Sequence, residues 1–216
     1  IYTDEITLPG MVHAAMLRSP HAHAKITKID TSEATSAPGV LAVYTSVDID
    51  GALEPVPCAW LLPDADLKVA AYPAIAKDIV RYTGDIVAVV VADDQYQAYD
   101  ALDLIKVDYE PLPHVIDVMA AMAPGAPLLH ENLFTDGVEP KPDKPSNVAE
   151  RVEVSAGDIA AGFAAADVVV EREFKTKPVH QGYIEPHACV ASFSEDGLAE
   201  LWCTTQGHHV VRTYCT

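Results

Sequence analysis

Basic residues are scarce: Lys and Arg number 14 against 32 Asp and Glu in 216 residues, a formal charge of -18. A surface of that sign repels nucleic acid and anionic membranes. The acidic residues are spread along the chain, so they read as a solvated face rather than a tail. Cysteine is equally sparse. Cys58, Cys189, Cys203 and Cys215 stand without a C-x-x-C pair, which argues against a disulfide framework, structural zinc or iron–sulfur ligation by this chain. The expectation is buried, reduced thiols in a cytoplasmic protein. No apolar run reaches the roughly 18 residues of a membrane span. The opening Ile-Tyr-Thr-Asp-Glu is acidic and lacks the apolar centre of a signal peptide. Gly-x-Gly-x-x-Gly, the P-loop and Gly-x-Ser-x-Gly are also missing, which speaks against nucleotide binding or a serine hydrolase.

What is present suffices to fold. Half the residues are hydrophobic, and the length suits one or two domains with a proper core. Residues 11–18 read as a strand after the Leu8-Pro-Gly turn. A loop carrying His21 and His23 leads to a second strand, 24–30, and Asp30 or Thr31 can cap a short helix, 32–37. Pro38-Gly39 stops it before a third strand, 40–45. Prolines 55, 57, 63 and 73 leave residues 46–78 with little regular structure. The strongest strand is 86–92, apolar throughout, as expected when both faces are covered. Asp94 and Gln97 form a capping-box-like start to a helix, 95–104, with Ala98, Ala101, Leu102 and Ile105 on one face. A strand at 105–109 follows, then a short helix at 115–122.

Prolines 124, 127, 140, 142 and 145 predict an extended, semi-rigid linker. Beyond it, strands are predicted at 147–155, with Val148, Val152 and Val154 inward, at 167–174, at 187–193, and at 199–205, where Leu201 and Cys203 alternate with Trp202 and Thr204. Asp158 caps a helix with Ile159, Gly162, Phe163 and Ala166 on one face. Glu195-Asp-Gly197 is a hairpin turn. A helix begins near Gly207, so Gln206 sits where a rigid strand becomes a rigid helix. Its neutral amide can donate and accept without titrating. Taken alone, such a Gln also serves as a cap or a surface residue. Gly207 lets a ligand approach the backbone. Glu185, between Ile184 and Pro186, reads as a buried carboxylate that needs a partner, either a brace for a site or a structural ion pair. His21-x-His23 could set two imidazoles on one strand face, and His208-His209 lie near Cys203. Neither pair comes with a third and fourth ligand at usable spacing, so no metal ligand is assigned.

Two sets of motifs carry a family resemblance. Leu8-Pro-Gly-Met11, Arg18-Ser-Pro-His-Ala22, Ile29-Asp-Thr31, Pro38-Gly-Val40 and Val107-Asp-Tyr-Glu-Pro-Leu-Pro113 occur in one order. That order resembles the α/β hammerhead domain of molybdenum hydroxylase large subunits, the family of xanthine dehydrogenase, aldehyde oxidase and aerobic carbon monoxide dehydrogenase. Glu185-Pro186, a strand, then Trp202-x-Thr-x-Gln206 resemble the start of that family's cofactor-binding region. The resemblance implies an α+β fold: residues 1–122 as hammerhead domain, 123–146 as Pro-rich linker, and 147–216 as the start of a molybdopterin-binding domain. It implies that Gln206 hydrogen-bonds an oxygen ligand on molybdenum, with Gln206 and Gly207 contacting a molybdopterin cytosine dinucleotide. The 2Fe-2S clusters and FAD are then expected on partner subunits or other parts of a longer chain, in a dimer of heterotrimers. The family's catalytic glutamate, glycine-rich cofactor loops and substrate loop lie downstream. The 216 residues therefore read as an N-terminal portion that is inactive alone. The competing reading is a non-catalytic interaction module that kept the hammerhead, with its acidic surface as working face.

Overall fold

The structure, a computed structural model, describes residues 2–57 and 70–215. They form two units. The larger, residues 8–151, is built around β5 (Ile86–Ala92). It lies between β1 (His13–Arg18) and β3 (Val40–Thr45), both antiparallel to it, with Ala15 opposite Val90 and Val43 opposite Val90. A second sheet has β2 (Ala24–Asp30) between β4 (Ile79–Val80) and β6 (Lys106–Pro111), again antiparallel, with Ile26 opposite Tyr109.

Because side chains alternate along a strand, β5 serves two cores. Val87 packs with Ala24, Ala76 and Val80. On its other face Ala88 and Val90 pack with Ala34, Ala101 and Ile105, and Ala92 packs with Ala15 and Ala98. The residues from Ala98 to Ile105 come from α2 (Gln95–Leu102) and its exit, so the predicted apolar stripe is the buried one. Asp94 caps this helix, its carboxylate accepting from the Gln97 amide at 2.9 Å. Gly39 has φ +77, and a Cβ there would run into the Gln97 carboxamide. The turn before β3 therefore requires glycine twice over, for conformation and for space.

The short helix α1 (Ser32–Thr35) ends earlier than expected, and Asp30, not Thr31, supplies the side-chain acceptor, taking the Ser32 amide and hydroxyl. These bonds from Ser32 hold the Asp30 carboxyl down to about 2. The helix predicted at 115–122 is confined to α3 (Val118–Met122), capped by Asp117. After it, the Pro-rich stretch folds back on its own unit rather than running as a spacer. Asn147 ties it down: its amide donates to the carbonyls of Ala121 and Pro127, and its oxygen accepts from Leu129. Part of the 46–78 excursion, residues 58–69, lies outside the described residues, including Pro63 and Cys58.

The smaller unit holds residues 1–7 and 152–216. It contains a 3-10 turn at Thr3–Glu5, helix α4 (Ile159–Ala165), the hairpin β7 (Cys189–Phe193) and β8 (Ala199–Cys203), and helix α5 (His208–Tyr214). Two expected strands are not formed. Residues 147–155 contribute only a bridge between Asp136 and Glu150, and 167–174 have no ladder at all. Alternation shows that a segment can present one face, but a strand also needs a neighbour to exchange hydrogen bonds with. Among the described residues, 147–155 exchanges such bonds only with Asp136, through Ala149 and Arg151, and 167–174 has no ladder partner, with Val168 and Phe174 77% and 87% exposed. Among the described residues no helix is long and apolar enough to cross a membrane.

Candidate functional site

The β7–β8 hairpin sets the geometry. Its turn is locked by Asp196, whose carboxylate accepts from the Ser194 hydroxyl and the Leu198 amide, while Gly197 takes φ +85. The Ser194 hydroxyl is the main cause of an Asp196 carboxyl held below the usual carboxylate range. At the open end, Thr204 joins the two halves of the predicted motif. Its amide donates to Ala188 at 3.0 Å, and its hydroxyl donates to the carbonyl of Pro186 at 2.8 Å. The segment of Glu185 and Pro186 is thus fixed beside the end of β8.

Gln206 follows at once. The Thr205 hydroxyl accepts from the Gly207 amide at 3.0 Å, turning the chain from strand to helix, and Gly207 caps α5. Gln206 is therefore at the junction that its sequence context indicates, and it is exposed. Gly207 has φ -135, which any residue adopts, and a Cβ there would meet only Val210 at 3.7 Å. Neither backbone conformation nor intramolecular crowding demands glycine at this position. A group approaching from outside is a remaining reason for leaving it bare.

Glu185 departs from expectation. It is exposed, not buried, because its neighbour Ile184 also points to solvent, 92% accessible. The rings of His180, Tyr183 and His187 surround this segment as a column that its sequence spacing did not bring out. Their centroids are 4.8 Å apart at each step, with Tyr183 and His187 nearly parallel at 13°. The spacing i, i+3, i+7 of flat rings was the available signal, but outside a helix it does not predict contact.

The cysteines differ from expectation as well. Cys189 and Cys215 are exposed and Cys203 is half-buried, all as free thiols. Cys189 and Cys203 are directly opposite across the hairpin. Burial, then the neighbouring thiols of Cys203 and Cys215, push the Cys189 thiol up. His21 and His23 lie in the loop before β2, not on a strand. His23 is engaged with the Pro113 carbonyl through Nδ1 at 2.9 Å, and His21 packs on Tyr109. The rings of His208 and His209 touch at a tilt, with centroids 4.1 Å apart and planes at 45°. Among the described residues no three His, Cys, Asp or Glu converge as a metal site.

Residues 1–113 match the model of the aldehyde oxidase and xanthine dehydrogenase a/b hammerhead domain. The chain belongs to the aldehyde oxidase and xanthine dehydrogenase family. Residues 140–216 match the family's molybdopterin cofactor-binding domain. The α+β architecture is thus a hammerhead domain followed by the beginning of that second domain. Members of the family are molybdenum-dependent oxidoreductases. The chain is 40% identical to the carbon monoxide dehydrogenase large chain of Afipia carboxidovorans over 98% of its length, covering 26% of that protein. It is 34% identical to the nicotine 6-hydroxylase large subunit of Paenarthrobacter nicotinovorans, covering 98% of this chain and 24% of the relative. Among solved structures, quinoline 2-oxidoreductase from Pseudomonas putida 86 superposes with a TM-score of 0.84 at 30% identity, over 99% of this chain and 26% of the other. The chain thus spans about a quarter of the length of the relatives it matches.

Proposed function

We propose that this chain is the hammerhead domain and the opening of the cofactor domain of a molybdenum hydroxylase large subunit. The division is residues 1–122, a connecting stretch at 123–146 that folds back on the unit before it, and 147–216. The whole enzyme oxidises an aldehyde, an N-heterocycle or carbon monoxide with oxygen drawn from water. It passes electrons to Fe-S and FAD groups on partner subunits, as a cytoplasmic dimer of heterotrimers. The observation that carries this reading is the pair Gln206 and Gly207. An exposed neutral amide stands at a strand-to-helix junction, next to a glycine that neither φ nor neighbours require.

The residues fit a large group docking from outside. When bound, a molybdopterin cytosine dinucleotide supplies the oxygen transfer and accepts the electron pair. The work of this chain is positional. The Gln206 amide donates a hydrogen bond to the cofactor, and its carbonyl stays free to accept one. Because an amide does not titrate near neutrality, that contact is the same across the working pH range. Thr204 and Thr205 hold the junction through their bonds to Pro186 and Gly207, so the amide is presented from rigid elements rather than a loose loop. Gly207 leaves the cofactor room against the backbone.

Metal analysis of the full-length protein, purified with the partners it carries, tests this reading. Molybdenum in proportion to protein is expected. A folded, intact protein without molybdenum or pterin would point instead to an interaction module that kept only the hammerhead.

A further inference from the structure

The unit of residues 8–151 contains a cavity of about 420 Å3 that the proposed chemistry at Gln206 does not use. Its volume falls in the range of small-molecule sites. The walls are apolar, with Val115, Ile116, Leu128, Leu129 and Leu133 among them. Three imidazoles and a guanidinium also face it, from His23, His114, His130 and Arg81. None of the described residues lining it is Asp or Glu, although the chain has 32 of them and only 14 Lys and Arg. An acidic protein has here gathered basic side chains, while the buried Asp85 carboxylate is bonded to the Arg81 backbone amide at 3.0 Å and is not among the lining residues.

Those basic groups are only partly satisfied. Arg81 gives Nε to the Leu129 carbonyl at 3.2 Å and Nη1 to that of Ile79 at 3.5 Å. Among the described residues no carboxylate pairs with it. His23 uses Nδ1 on Pro113, which leaves Nε2. Burial, then the charges of Arg81 and His23, lower the basicity of His130, so the three groups share one space. Asn147 is already spent on the backbone and holds the wall in place. With no carboxylate paired to it among the described residues, the Arg81 guanidinium sets a positive charge against a half-buried, mostly apolar space, and an anion seated there would neutralise it. The apolar walls reject a small, strongly hydrated inorganic anion and favour one with an apolar body.

We propose that this cavity binds a small organic carboxylate, with Arg81 taking the carboxylate and the Leu128, Leu129 and Leu133 wall taking the apolar body. The site does not depend on molybdenum, so its test is binding rather than turnover. The full-length protein, in the complex it purifies with, is titrated calorimetrically with benzoate and with benzyl alcohol, a neutral molecule of similar shape. Benzoate is expected to bind more tightly than benzyl alcohol. Arg81→Gln should weaken benzoate about tenfold or more, the loss of a charge-assisted hydrogen bond, and leave benzyl alcohol unchanged. Arg81 also braces Leu129, so a second variant guards against a folding defect. Ile116 is 87% exposed at the rim, and Ile116→Trp should narrow the mouth and weaken both ligands without affecting the fold. Absence of benzoate binding, as when other polypeptide fills the cavity, overturns the proposal. So does benzoate binding that neither substitution alters, because the ligand then sits elsewhere.

Discussion

Residues 8–151 and residues 152–215 come from one chain with one composition, yet they treat apolar side chains in opposite ways. All residues buried among those described, from Ala15 to Ile105, lie in the first region. In the second, Phe163, Val169 and Ile184 face solvent. The first region has a strand, β5, whose two faces are both covered by its own neighbours. The second has only a hairpin and short helices. Its apolar stripe on α4 and the valines 168–170 border an open depression with nothing packed across it. Exposed apolar surface of this extent marks a place where other protein belongs. Relatives about four times as long as this chain supply a candidate cover, the remaining polypeptide of the large subunit.

The contrast can be sharpened by substitution. The largest effect is expected at Val90, fully buried on β5. Val90→Asp should cost about 4 kcal/mol or more, since it buries an unpaired charge, and chemical denaturation should find residues 8–151 largely unfolded. Gly39→Ala comes next, at about 1–3 kcal/mol, because it forces an L-residue into positive φ against the Gln97 side chain. Asp94→Ala removes the cap of α2 and should cost about 1 kcal/mol, read as a lower midpoint with an unchanged denaturant slope. The smallest effect is Val169→Ser. It should change the stability of the chain by itself by less than about 0.5 kcal/mol. Backbone exchange measured in the full-length protein bears on the same contrast: amides of residues 159–174 should be protected there and unprotected in the isolated chain. Equal exchange in both would mean that nothing covers this surface.

The two regions also differ in how far their sequences disclose them. Strands β2 and β5 occur with the bounds their patterns indicate, and Asp94 and Asp158 cap the helices they precede. Local rules suffice where a segment's partners lie in the same region. Residues 147–155 and 167–174 carry the valines of strands, but among the described residues the first finds only the single bridge at Asp136 and the second no ladder, so the pattern alone misleads. Glu185 fails for the same reason: apolar neighbours predict burial only if something covers them. The junction at Gln206 was readable because its parts are local, a strand, an ST turn through Thr205 and a helix start. The tie from Thr204 to Pro186 spans 18 residues and has no local signature. The basic cavity was not readable either, because Arg81, His23 and His130 meet only once the Pro-rich stretch folds back under the hold of Asn147.

The role proposed for this chain turns on the Gln206 amide meeting a cofactor. The direct measurement is turnover of the full-length enzyme carrying Gln206→Ala, with molybdenum content and thermal midpoint determined on the same sample. A hydrogen bond to a charged or polarised group is worth about 1.5–3 kcal/mol, so turnover per molybdenum should fall about ten- to a hundredfold while midpoint and metal loading hold. Turnover per molybdenum equal to that of the unaltered enzyme would contradict it and remove Gln206 from the site.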